Sequence, residues 1–436
     1  MDQTTLIIGV FVGVVALALI SEIAFEKFRI PEQIILMLIG VILAHASIVS
    51  GATIDSIVSI APTLGTFVLG LIILDAGLGM KAYDMLIRSP RVLGLAALEP
   101  IVGATVLAFL MHFVLGWPLI YGAIFGSLLG SLTPDVMVPL LRNMHIEEGQ
   151  QNSMILDSVY DVVTSIIVFE ALFGIATSSS VNLGGAISEL ALAFLVGMAI
   201  GLLGGFAWVL GALKRVKEHQ YLTTLGAAFA VFLVSQLLGG NGFLSILIFG
   251  LIIGNYNESY RRVLGGIVYG AMLGRVSEEL KKVLRISNHK TVESLRAAQK
   301  EITFITKAFF FVYLGLIFKA TAYTVALGIV ISFVLLGVEF FNVNIIRLQG
   351  DKRLYTLIEP RGISPIILSE IVYAYASSAS GTPYLLNTIA QPLVSMTFVV
   401  IFTTIIIAVI SGVILTDERV THLKPATGMG EQLGQT

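Results

Sequence analysis

The sequence predicts an all-α membrane protein with about thirteen transmembrane helices, and three observations support this fold class. The chain of 436 residues is 56% hydrophobic and only 12% charged, with a mean hydropathy of +0.93. A soluble protein would carry roughly twice that charged fraction. Apolar runs of about 18 residues or more recur along the chain, long enough to cross a bilayer as helices. Basic residues return between alternate runs, as expected for cytoplasmic loops.

The predicted spans and the basic residues between them define a topology. The spans are 5–24, 31–49, 58–79, 92–115, 118–141, 150–176, 185–212, 220–238, 241–256, 301–318, 321–346, 354–378 and 392–416. Lysine and arginine residues follow the odd-numbered spans, whereas the opposite loops carry one basic residue, Lys319. Because basic loops stay in the cytoplasm, we expect an outside N-terminus, a cytoplasmic C-terminus and a multi-pass protein of the cell membrane.

Several other classes of protein find no support in the sequence. The N-terminus, MDQTTLIIG, lacks basic residues and a small-residue cleavage site, so it is predicted to begin the first span. The chain has no cysteine and a net charge of −2, which indicates neither disulfides nor nucleic-acid binding. Metal-ligand spacing, a phosphate loop, a nucleophile elbow and the Gly-x-Gly-Asp motif of aspartyl proteases are missing from the sequence. We therefore expect neither enzyme activity nor a cofactor.

One long connection interrupts the regular series of spans. Residues 257–300 include SEELKKVLRISNHKTVESLRAAQK, which predicts one or two amphipathic helices on the cytoplasmic side. A plain connector and a regulatory element both fit this pattern. Residues 426–436 are predicted to be a flexible tail, and residues 1–425 a single membrane domain.

Two spans are interrupted in the same way. The fifth contains TPDVMVP at residues 133–139, and the twelfth contains EPRGISP at residues 359–365. Proline within a helix removes a backbone donor and clashes with the preceding turn, so both helices should open there. Asp135 follows the first proline of one segment, and Arg361 that of the other. An offset of seven spans inverts their orientation, which is typical of inverted-topology repeats with two crossing helices. Two unrelated proline kinks are the alternative.

Ionisable side chains inside the predicted spans are expensive to bury and are therefore candidates for function. The segment DSVYDVVTS at residues 157–165 places Asp157 and Asp161 on one polar stripe of the sixth helix. Further candidates in other spans are Asp75 in the third, Lys307 in the tenth and Arg361 in the twelfth. Five glutamates closer to span ends or on less defined helix faces are expected to snorkel or to make structural hydrogen bonds: Glu99, Glu170, Glu339, Glu359 and Glu370.

The sequence resembles the monovalent cation:proton antiporter superfamily, and within it the NhaP-type sodium/proton antiporters. Four stretches carry this resemblance: RIPEQIILMLIGVILA, GNGFLSILIFGLIIGN, EPRGISP and DSVYDV. The resemblance implies the NhaA/NhaP-like antiporter fold, a homodimer and an elevator-type mechanism of alternating access. It also implies a core domain with the spans in 92–176 and 301–378, which moves against a dimerisation domain made of the remaining spans.

The resemblance also assigns roles to residues of the sixth span. Asp157 stands where the family has a glutamate that pairs with the arginine of the twelfth span, which implies an ion pair with Arg361. Ser158 stands at the position of an ion ligand. Asp161 replaces an asparagine, and Val162 replaces the family's ion-carrying and proton-carrying aspartate.

Four more residues take family positions in other spans. Thr133 stands where a second carboxylate is expected, and Asp135 follows two residues later. Asp75 stands for a glutamate of the third span, and Lys307 for the basic residue of the tenth.

Two hypotheses about function remain open from the sequence. The first is exchange of a monovalent cation, Na⁺ before K⁺ or Li⁺, for protons, with Asp161 as carrier and Asp75 or Asp135 assisting. No metal beyond the transported cation is expected. The second is a transporter or channel of the same fold that moves another ion or solute without proton exchange.

Overall fold

The computed structural model describes residues 3–28, 31–46, 51–79, 90–142, 144, 146–177, 183–209, 220–255, 289–348, 350–378, 382 and 384–423. Within these residues the chain forms fifteen α-helices and a π-helix, Leu385–Ala390. The α-helices are α1 (Gln3–Phe28), α2 (Glu32–His45), α3 (Gly51–Gly79), α4 (Pro90–Leu115), α5 (Leu119–Leu129), α6 (Pro134–Arg142), α7 (Glu148–Thr177), α8 (Leu183–Ala207), α9 (Gln220–Leu237), α10 (Gly242–Asn255), α11 (His289–Ile317), α12 (Ala322–Ile346), α13 (Lys352–Leu357), α14 (Ile363–Ser377) and α15 (Gln391–Leu423).

The helices have the lengths and surfaces of membrane spans. In the described part of the chain, six helices are long and apolar enough to cross a bilayer, and six shorter ones are also apolar. Large apolar side chains lie on the outside, among them Phe113 and Leu237, which are 79% and 85% exposed. Such a surface suits lipid rather than water. The predicted all-α membrane class is therefore confirmed, while the number of thirteen spans stays a prediction.

The long connection is described only at its end. Residues 289–300, the end of the charged segment, form the first part of α11, and the tenth span follows in the same helix. Residues 256–288 and 424–436 lie outside the described residues, and so do the remaining predictions for the connector and the tail.

The two interrupted helices are present where the sequence predicts them. The fifth span consists of α5, which ends at Leu129, and α6, which begins at Pro134. The twelfth consists of α13, which ends at Leu357, and α14, which begins at Ile363. Pro134 occupies the first position of its helix, where a missing backbone N–H leaves no bond unmade.

The helices pack in two groups. The core group contains α4–α7 and α12–α15, with α4 against α5, α7 and α12, and α15 against α12 and α14. The flank group contains α1–α3 and α8–α11, with α10 against α3, α8 and α9. The packing differs from the predicted division, because the tenth span belongs to the flank and the last span to the core.

Close glycine contacts explain the position of the tenth span. A side chain on Gly315 of α11 would lie 2.8 Å from the Cα of Gly40 in α2, so the two backbones touch. Such contacts between small residues are a common way for membrane helices to associate. They hold α11 against α2 in the flank group.

A seam separates the two groups. On the flank side it is formed by α3, and on the core side by α7 and α14, both of which pack against α3. Two cavities lie along this seam.

Candidate functional site

The two helix breaks cross inside the protein and bind each other. Leu132 and Arg361 form an isolated antiparallel bridge, and the backbone N–H of Thr133 donates to the carbonyl of Pro360 at 2.9 Å. A side chain on Gly362 would collide with Thr133, so the crossing needs glycine there. Each break therefore provides hydrogen-bond partners for backbone groups of the other. Non-helical backbone at membrane depth needs such partners, because lipid offers none. The predicted inverted, crossing arrangement is confirmed, and the alternative of two unrelated kinks is wrong.

Arg361 ties three parts of the core group together. Its Nη1 donates to Glu99 Oε1 at 2.7 Å and to the carbonyl of Gly130 at 2.9 Å. Its Nη2 donates to Glu359 Oε2 at 3.2 Å. The side chain is 1% exposed, so these are fully buried, charge-assisted hydrogen bonds.

The expected direct ion pair between Asp157 and Arg361 is not formed among the described residues. Asp157 is buried nearby, yet its Oδ1 has no hydrogen-bond partner in that part of the chain. The guanidinium group of Arg361 instead forms ion pairs with Glu99 of α4 and with Glu359 of the second break. Glu99 and Glu359 therefore neutralise Arg361, which was the role expected of Asp157 on the sixth span.

Five carboxyl groups gather around this one guanidinium. We name them the carboxyl cluster, and its members are Glu99, Asp157, Asp161, Glu339 and Glu359. Oxygen atoms of Glu99, Glu339 and Glu359 lie within 4.8 Å of one another, a spacing that three ligands of one metal ion could adopt. Glu99, Glu339 and Glu359 do not snorkel, contrary to one of the two expectations for them.

The sequence marks Glu99, Glu339 and Glu359 as acids within spans but does not predict that they gather around Arg361. Glu99 and Glu339 lie on α4 and α12, the helices that come directly before the two interrupted spans. That shared placement is the signal which could have marked them, although sequence alone does not show which way an acidic side chain turns.

A cavity opens beside the crossing, at the seam. Its volume is about 90 Å³. The polar side chains that line it are those of Asp75, Thr133, Thr303, Lys307 and Ser364. We name it the Asp75 cavity. Three residues predicted for the site, Asp75, Thr133 and Lys307, are thus brought together from two different helices and a break.

The side chains at positions 161 and 162 of α7 lie in different surroundings. Val159 and Val162 line the Asp75 cavity, so the position of the family's carrier faces the cavity with an apolar side chain. Asp161 is fully buried and lies beside Glu99 in the carboxyl cluster. Lys307 lines the Asp75 cavity together with Val162, whereas Asp161 does not line it.

The other predicted ligands have simpler surroundings. Ser158 is buried, and its hydroxyl donates to the carbonyl of Ile155 one turn earlier, at 2.9 Å. Asp135 belongs to α6, and its side chain lies outside the described part of the structure.

A second cavity, of about 500 Å³, lies along the same seam. Its walls include Thr63 and Thr66 of α3, Glu170 of α7 and Gln236 of α9. Glu170 accepts a hydrogen bond from the side-chain amide of Asn241, whose own oxygen caps the start of α10. Glu170 therefore makes a structural hydrogen bond across the seam, as one of the expectations for it stated.

A sequence model of the family described as "Sodium/hydrogen exchanger, transmembrane" matches residues 13–417, nearly the whole chain. The chain belongs to the sodium/hydrogen exchanger family. Members of this family are transporters rather than enzymes, and membership indicates cation/proton exchange as the class of activity. The predicted resemblance to sodium/proton antiporters is confirmed at the level of this family.

Two solved structures of the sodium proton antiporter MjNhaP1 from Methanocaldococcus jannaschii share this exchanger fold. The structure at pH 8 matches with a TM-score of 0.74 at 19% identity, over 95% of this chain and 99% of that one. A 3D EM map of MjNhaP1 matches with a TM-score of 0.69 at 20% identity, over 98% and 100% of the two chains. At such identity the likeness shows the fold, and the ion site of this family member must be argued from its own residues.

Proposed function

We propose that the protein exchanges a monovalent cation, Na⁺ before K⁺ or Li⁺, for protons across the cell membrane. One observation carries this proposal: a fully buried carboxyl group, that of Asp161, lies close to Arg361 of the second break, and the neighbouring Val162 lines the cavity that holds Asp75. Half-helix ends and open backbone at such a crossing suit an ion in transit. Burial favours the protonated form of a carboxyl group, and a cation can replace that proton.

Asp161 is the proposed carrier of ion and proton. It is the acidic residue on the sixth span that lies nearest the lost carrier position at Val162, and both of its oxygens are available for binding. Asp75 and Thr133 supply oxygen atoms in the neighbouring cavity, and Ser158 and Asp135 complete the proposed ligand set. Carboxylate, hydroxyl and carbonyl oxygens are the hard ligands that alkali cations prefer.

The seam supports an elevator-type movement. Both cavities have walls from α3 on one side and from α7 and α14 on the other, at different heights along those helices. Sliding of the core group against the flank group would open one cavity as the other closes. We further propose that the flank group forms a homodimer interface, with the N-terminus outside and the C-terminus in the cytoplasm.

Transport by the reconstituted full-length chain tests the proposal. In liposomes with an imposed pH gradient, addition of Na⁺ should release protons, which a trapped pH-sensitive dye reports. We expect Asp161→Asn to abolish this flux while the protein keeps its oligomeric state. Asp351→Asn makes the same change at the partly exposed cap of α13, outside the carboxyl cluster and both cavities, so it serves as the control and should behave as wild type.

A second function has one observation in its favour. Val162 faces the Asp75 cavity where the resemblance predicts a carboxylate, so the protein could move another ion or solute without protons. Cation flux that is unchanged by removal of the pH gradient, together with normal flux in Asp161→Asn, would support this alternative and contradict proton exchange.

A further inference from the structure

The carboxyl cluster holds more acid than its one cation can balance. Its five members are each at most 2% exposed, and so is Arg361. The guanidinium is committed to Glu99, to the carbonyl of Gly130 and to Glu359. Several ionised carboxylates buried side by side would leave most of their charge uncompensated, which is strongly unfavourable. Some members must therefore hold protons or bind a cation.

Asp161 provides an independent indication of where one proton lies. It is 0% exposed, and neither of its carboxyl oxygens accepts a hydrogen bond from any donor in the described residues. An ionised carboxylate only accepts hydrogen bonds, whereas a protonated one can donate its O–H to an acceptor. The adjacent group is the carboxyl group of Glu99.

Glu99 has one oxygen ready for such a bond. Its Oε1 accepts from Arg361 at 2.7 Å, which favours the ionised form of this glutamate. Its Oε2 is buried and has no hydrogen-bond partner within the described chain. An O–H on Asp161 would satisfy Oε2 of Glu99 and an oxygen of Asp161 at once.

We propose that Asp161 and Glu99 share one proton as a carboxylic acid–carboxylate pair, so that the proton-carrying group spans α7 and α4. The inference rests on the proposed exchange function and deepens it. When the proton leaves, two carboxylates face each other, and a monovalent cation between them restores the same charge. Glu99 thus takes the place of the carboxylate lost at Val162.

Other titratable groups face this pair and belong in its description. They are Asp157 of α7, Glu339 of α12, and Glu359 and Arg361 of the second break. Glu339 repeats the pattern on the other side of the guanidinium, since both of its oxygens lack a donor among the described residues and it lies beside Glu359.

Infrared spectroscopy of the reconstituted full-length protein tests the shared proton directly. A pH titration follows the carbonyl stretch of protonated carboxyl groups in wild type, Asp161→Asn, Glu99→Gln and the double variant. We expect Asp161→Asn to lose one titrating component, and Glu99→Gln to displace it to another pH, because Asp161 then holds a proton that it no longer shares. The double variant should lose the same single component as Asp161→Asn. Glu22→Gln, at an exposed glutamate of α1, is the matched control and should keep that component.

Two outcomes would overturn the shared proton: a Glu99→Gln titration like that of wild type, or loss of two components from the double variant. If Glu99→Gln fails to fold, Glu99→Asp keeps the charge beside Arg361 but shortens the reach, and it should displace the same component. Sodium-driven proton flux is measured separately on the same liposomes. Absence of flux with an intact shared-proton signal would contradict the exchange function and leave the pair standing.

Discussion

At the scale of single residues, Arg361 matters most for stability, because it is the cation that holds the carboxyl cluster together. Arg361→Ala would leave Glu99 and Glu359 without their partner. Loss of one partner of a buried pair costs about 3–5 kcal/mol, since an uncompensated charge remains. We expect the thermal midpoint in detergent to fall markedly.

An exposed arginine offers a matched control for that substitution. Arg353 pairs with Asp351 at 3.4 Å, but its side chain is 62% exposed. Exposed pairs contribute little, so Arg353→Ala should leave the thermal midpoint almost unchanged. Equal midpoints for Arg361→Ala and wild type would show that the buried bonds do not hold the fold.

The residue scale is also where sequence-based prediction was weakest. The polar stripe of Asp157 and Asp161 marked the right helix, but the partner of Arg361 was expected on that helix and lies on α4. Helical spacing shows which residues share a face, whereas the neighbour of that face depends on packing across the whole bundle. The sequence therefore showed that Glu99 is an acidic residue within a span, but it did not show that Glu99 is the partner of Arg361.

At the scale of elements, the sequence was far more informative. Two prolines five positions apart, in spans of opposite orientation, sufficed to predict both helix breaks and their crossing. Proline acts locally through a missing donor and a steric clash, so its effect needs no knowledge of distant residues. The packing of α11 in the flank group was missed, because it depends on contact between Gly40 and Gly315, which lie far apart in the chain.

The crossing itself should be intolerant of a single methyl group. A Cβ on Gly362 would overlap the side chain of Thr133 on the other break. Forcing extra atoms into a packed interior costs typically about 1–3 kcal/mol. We expect Gly362→Ala to lower the thermal midpoint in detergent and to reduce exchange, because the two breaks are pushed apart.

Gly337 is the control for this steric argument. It lies in α12, and a Cβ there would meet nothing within 4 Å. Alanine also favours helix over glycine, so Gly337→Ala should be neutral or slightly stabilising. If Gly362→Ala is as stable and as active as Gly337→Ala, the close approach of the two breaks is not needed.

At the scale of the whole molecule, the proposed mechanism depends on movement along the seam. Between the two cavities, α3 and α14 touch at Gly65 and Ile367, where a Cβ on the glycine would lie 2.9 Å from Ile367 Cγ2. On α14, Ile367 lies between residues 363–364, at the Asp75 cavity, and residues 371–374, at the large cavity. A covalent link here would join the core group to the flank group.

The chain has no cysteine, so a Gly65→Cys/Ile367→Cys pair would be its only possible disulfide. We expect oxidation to stop sodium-driven proton flux in liposomes, because the core group can no longer slide, and reductant to restore it. Each single cysteine variant should keep its flux under oxidant, which separates the link from a local steric effect. Full transport by a quantitatively oxidised pair would contradict an elevator movement at this seam and favour exchange through a fixed pathway.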